Sequence, residues 1–90
     1  MTDTKIALSS LALDLRRVAM GYHRGSTAMA DRFLAEALRR KDEIKSSDVK
    51  PYVAKLLVKI SSLKTIEDNS DKAEDALMYS ILFQNAAISL

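Results

Sequence analysis

Residues 76–90, ALMYSILFQNAAISL, contain no charged side chain, although 29% of the chain is Asp, Glu, Lys or Arg. Eleven of these fifteen residues are apolar; the others are Ser80, Gln84, Asn85 and Ser89. An acidic run precedes them. Asp71, Glu74 and Asp75 stand where the positive end of a helix macrodipole favours negative charge, and Asn69, Ser70 or Asp71 can cap the free N–H groups. The pattern predicts a closing helix over 70–90, entered from a polar loop over 64–70. On a helical wheel the acidic side continues through Met78, Leu82, Asn85 and Ser89. The opposite side carries Ala73, Leu77, Ile81 and Ile88, with Ser80 and Gln84 among them. Taken as the core side, it makes Ser80 and Gln84 buried polar residues that need hydrogen-bond partners. It also leaves Met78 and Leu82 on a side that should be wet.

A helix without charge must be covered on more than one side, which directs attention to the rest of the chain. Helical spacing recurs throughout, strict period-2 alternation is absent, and two glycines and one proline are too few for turn-rich β architecture. Leu8, Leu11, Leu15, Val18 and Tyr22 recur at spacings of three and four and predict a first helix over 4–21. Gly21 and Gly25 end it, because glycine tolerates the positive φ of a helix stop. Ser26 or Thr27 can cap a second helix over 26–45. Its apolar side is Ala30, Phe33, Leu34, Ala37, Leu38 and Ile44; its wet side carries Arg32, Glu36, Arg39, Arg40 and Glu43. A third helix over 47–63 accepts Pro51 in its first turn, where N–H groups lack intrahelical partners. Its stripe is Val49, Val53, Leu56, Ile60 and Leu63. The expected fold is all-α, a single domain built as an up-down-up-down antiparallel four-helix bundle.

The first helix repeats the anomaly of the last. Ile6, Leu13 and Met20 are spaced by seven, nearly opposite the main stripe, and therefore share one line of the helix surface. In such a bundle the first and last helices are neighbours, so Ile6, Leu13, Met20, Met78 and Leu82 can merge into one exposed apolar patch. Contiguous patches mark interfaces. A second copy is the simplest cover, since two-fold homodimers are the commonest assembly. A different protein partner is the other occupant of such a surface.

Other function classes receive less support. With no cysteine and one histidine, neither disulfides nor a thiolate or His-rich metal site is expected, and no nucleotide or cofactor motif is present. The cysteine-free composition is compatible with the cytoplasm. The polar first residues and the interrupted apolar run from Ile6 to Leu15 do not read as a secretory signal, and the last helix is short for a membrane span. Fourteen basic against twelve acidic side chains leave a formal +2, too small to argue for nucleic acid. The one polar cluster with chemistry is Arg17, His23 and Arg24 at the first junction. An imidazole beside guanidiniums is what a nucleic-acid-binding or RNA-processing domain turns on phosphate. The interleaved Asp14, Asp31 and Glu36 weaken that alternative, since dedicated binders segregate positive charge. Taken together, these features describe a non-catalytic interaction module, without cofactor or metal, that self-associates through its first and last helices.

Overall fold

The computed structural model describes residues 3–90. Among them the chain is all-helical and has no strand. It forms α1 (Asp3–His23), α2 (Thr27–Asp42), α3 (Pro51–Lys59) and α4 (Asn69–Ser89), with 3-10 segments at Ser46–Asp48 and Ile60–Thr65. The four helices pack together. α1 is the hub, packing most extensively on α4 and next on α2, while α3 touches α4 more lightly.

The α1 stripe forms the heart of the core. Leu8, Leu11, Leu15, Val18 and Tyr22 are all buried, as their spacing requires. α1 ends in a Schellman motif. Ser26 N–H donates to Gly21 C=O at 2.8 Å, and Gly25 N–H donates to Tyr22 C=O at 3.3 Å. Gly25 takes the left-handed conformation this closure needs, with φ of 81°. Gly21 has a different task. A Cβ there would lie 2.7 Å from Ala30 Cβ, so its missing side chain lets α2 start directly against α1. Further along, the Arg17 guanidinium lies 5.4 Å from the Phe33 ring centre. Arg40 Nε donates to Asp14 Oδ2 at 3.0 Å, on a face of α1 where Asp14 is buried.

Several boundaries differ from the sequence-based expectation. α2 stops at Asp42 instead of Lys45, with Arg39, Arg40 and Lys41 in its last turn. The chain then turns so that Ile44 is buried from outside the helix. The third helix changes pitch. Its expected first turn is a separate 3-10 segment at Ser46–Asp48, so α3 starts only at Pro51 instead of 47, and from Ile60 the chain tightens into a second 3-10 segment. Ser62 Oγ donates to Lys59 C=O at 2.7 Å and Thr65 Oγ1 to Ser62 C=O at 2.8 Å, local bonds that compete with regular α geometry. The buried positions of this helix are accordingly Val53, Leu57, Ile60 and Leu63, with Leu56 only half-buried. α4 is capped by Asp68, one residue earlier than expected, whose carboxylate accepts from Asp71 N–H at 3.0 Å.

The largest correction concerns which side of α4 is inside. Its buried arc is Ala73, Ala76, Tyr79, Ser80, Phe83, Ala86 and Ala87. Leu77, Ile81 and Ile88, expected in the core, are exposed, and so is Gln84, expected to be a buried amide. Leu82, expected on the wet side, is half-buried. The reason is steric. α1 and α4 share clefts floored by small buried residues, Ala12 with Ser80 and Ala19 with Ala73, and Ala87 continues the seven-residue spacing of Ala73 and Ser80 as a buried residue of α4. Interhelical distance follows the size of the side chains at the contact. A seam of alanine and serine draws the helices close and turns the neighbouring large aliphatics outward. A search for large apolar residues passes over such a seam.

Gly21→Ala tests the α1–α2 contact. Alanine gains about 1 kcal/mol in helix propensity, while overpacking against Ala30 costs about 1–3 kcal/mol. A net loss of stability is expected in urea unfolding, and an unchanged or higher midpoint would show that the two helices are not held at this distance.

Candidate interaction surface

The small-residue seam is the floor of an open groove between α1 and α4. One part, of about 400 Å³, is lined by Ala12, Leu13, Arg16, Leu77, Ser80, Ile81, Gln84 and Asn85. A second part, toward the α1 C-terminus and of about 370 Å³, is lined by Ala19, Met20, His23, Ser70, Ala73, Glu74 and Leu77. Leu77 lines both, so the two parts adjoin along the α1–α4 contact. Its large apolar walls face solvent: Leu13, Met20, Leu77 and Ile81 are 48%, 41%, 46% and 52% exposed. Ile6 and Ile88 are exposed as well. Leu8, two residues after Ile6 and on the buried side of α1, lines a crevice with Ala86, Ser89 and Leu90, which puts the start of α1 beside the end of α4. Ser80 at the floor is buried and satisfied locally, donating to Leu77 C=O at 2.6 Å.

The five residues singled out in the sequence therefore divide. Ile6, Leu13 and Met20 stand exposed on α1, with Leu13 and Met20 on the groove walls. Met78 is exposed on α4, but neither Met78 nor half-buried Leu82 lines the groove. Leu77, Ile81 and Ile88 are exposed as well as Met78, and Leu77 and Ile81 line the groove. The seven-residue spacing of Ala73, Ser80 and Ala87, matched by that of Ala12 and Ala19, was the available signal for this rotation.

The Arg–His cluster is also divided. Arg17 and Arg24 share a crevice of about 250 Å³ between α1 and α2 with Met20, Gly21, Met29 and Phe33. His23 opens instead on the α4 side of the helix. Arg17 packs on the Phe33 ring. Among the described residues, Arg16, Arg24 and Arg32 form no ion pair, whereas Glu36 is bonded to Arg39 and Asp14 to Arg40. Met29, given no role in the sequence reading, and Phe33, read there as part of the apolar side of the second helix and only half-buried, extend the apolar surface onto α2. No group of His, Asp and Glu side chains among the described residues has the arrangement of a metal site.

Tyr22 joins three helices at this end. Its hydroxyl donates to the Asp31 carboxylate on α2, and Lys72 Nζ of α4 lies 4.8 Å from its ring centre. Burial, the hydrogen bond to Asp31 and the Asp31 charge together hold the phenol protonated well above its ordinary range. Scanned against protein families, curated proteins and solved structures, the chain matches none. No described helix is long and apolar enough to cross a membrane.

The raised Tyr22 pKa has a defined sign. The unfolded chain releases the phenol proton near pH ~10 while the folded chain retains it. Its stabilising effect is therefore complete below pH ~10 and is lost as pH rises further. Tyr22→Phe is expected to be less stable at neutral pH by about 1 kcal/mol, the worth of the hydrogen bond. That gap should narrow above pH ~10. A constant gap in alkaline denaturant titrations would show that the phenol is not held by the fold.

Proposed function

We propose that this chain is a small non-catalytic helical interaction module, an adaptor, regulator or subunit, that self-associates through the outer faces of α1 and α4. The observation that carries the reading is the row of exposed apolar residues Leu13, Met20, Leu77 and Ile81 beside adjoining clefts whose one buried hydroxyl, Ser80, is already satisfied. Scattered exposed aliphatics are ordinary on a protein surface; a run along two packed helices is an interface in need of a partner. A second copy supplies one at no further requirement of sequence. The groove is short of paired acid–base groups in an enclosed pocket, which is why the reading is association and not catalysis. The cysteine-free sequence suits a cytoplasmic setting.

We read the helices as an up-down-up-down antiparallel bundle. Gly21, Arg17 and Asp14 along α1 meet Ala30, Phe33 and Arg40 in reverse order along α2. On the other flank, Tyr22, Ala12 and Leu8 lie with Lys72, Ser80 and Ala86 in the same reversed sense.

A second reading, a nucleic-acid-binding or RNA-processing domain, rests on Arg16, Arg24 and Arg32, whose guanidiniums are free of carboxylates among the described residues. The separation of His23 from the Arg17–Arg24 crevice favours plain phosphate binding over catalysis within that reading. Retention on heparin at ~0.15 M salt supports it, and free flow-through removes it.

For self-association, the parent protein is expected to have twice the chain mass in solution. Leu13→Glu combined with Ile81→Glu is expected to give a helical monomer, because both positions are exposed and outside the core. A monomeric parent at high concentration would refute the reading.

A further inference from the structure

We propose that the two copies meet antiparallel, with the two-fold axis crossing α1 at Leu13 and passing over Ile81 of α4; this rests on the self-association proposed above and specifies its geometry. Two features of α1 lead there. Its exposed apolar residues, Ile6, Leu13 and Met20, are symmetric about Leu13, seven residues to either side. Its charges are not symmetric. Arg16, Arg17 and Arg24 all follow Leu13, while the preceding part of the helix offers Asp3, Ser9 and Ser10. The one cation there, Lys5, is half-buried and already engaged.

Only one relative direction suits both features. With the two α1 helices parallel, each arginine cluster faces its own copy. Among the described residues Arg16 and Arg24 have no carboxylate to offset that repulsion. Antiparallel, Met20 of one copy meets Ile6 of the other, and Leu13 meets Leu13. Arg16 and Arg17 face Ser10 and Ser9, and Arg24 comes within a helical turn of Asp3. Ile81 shares the groove with Leu13, so the same axis brings it toward its own counterpart. Charge and apolar spacing thus select a second copy as the occupant, since only this sequence carries the complementary arrangement by construction.

The chain has no cysteine, which makes cross-linking clean. Single variants Ile6→Cys, Leu13→Cys and Met20→Cys, each checked for helical content, are oxidised at low concentration. Leu13→Cys is expected to form a covalent dimer at least ten-fold faster than Met20→Cys alone. In the antiparallel pair the two copies of position 20 lie about 21 Å apart, far beyond disulfide reach. An equimolar mixture of Ile6→Cys and Met20→Cys is expected to give the mixed dimer. Rapid cross-linking of Met20→Cys with itself would establish a parallel pair and overturn this geometry while leaving self-association in place. A dimeric mass with no cross-link from any variant would likewise overturn the geometry alone. A monomeric mass at every concentration would overturn self-association as well.

Discussion

The close approach of α1 and α4 through small side chains governs the rest of the molecule. Ala12 and Ala19 on one helix share the groove floor with Ser80 and Ala73 on the other, and all four are buried. Helices held this close retain room for large residues only beside the seam, on one side or the other. On the inner side Leu11, Leu15, Val18 and Phe83 fill the core completely. On the outer side Leu13, Met20, Leu77 and Ile81 have nowhere to go but solvent. The seam tolerates its one hydroxyl because Ser80 bonds back to the Leu77 carbonyl, leaving no buried side-chain polar atom unsatisfied among the described residues.

α1 consequently serves two neighbours at once. Toward α2 it offers Gly21, whose missing side chain admits Ala30, and Asp14, whose buried carboxylate is matched by Arg40. Toward α4 it offers alanines. Tyr22, at the point where both contacts end, is bonded to Asp31 and lies under Lys72. The Schellman closure at Gly25 then reverses the chain within three residues, which is what keeps α2 against α1. α3 carries a smaller share of the packing, in keeping with its short α-helical part and 3-10 continuation.

The exposed face that results is chemically uneven. Apolar walls run along α1 and α4 and reach α2 through Met29 and Phe33, and arginines stud the half nearer the α1 C-terminus. An apolar surface favours association, while uneven charge selects orientation more than affinity. That division of labour is why the proposed antiparallel arrangement rests on charge, and the proposed interface on the exposed aliphatics.

Periodicity and punctuation alone determined the all-helical class, the core stripe of α1, a helix stop in the Gly21–Gly25 segment, the place of Pro51 in the first turn of a helix and the surplus line Ile6–Leu13–Met20, whereas α1 runs on to His23 and α3 starts later than the expected 47. Those features depend on local backbone preference and on the spacing of large apolar side chains, both of which can be read in one dimension. Only the tertiary structure decided the rotation of α4, the exposure of Leu77, Ile81 and Gln84, and the parting of His23 from Arg17 and Arg24. Alanine carries almost no hydropathy contrast, so a helix that buries its alanines hides its inner face from any wheel weighted by large residues. The closeness of α1 to α4, a property of two helices together, turned the leucine and isoleucines of the charge-free stretch outward.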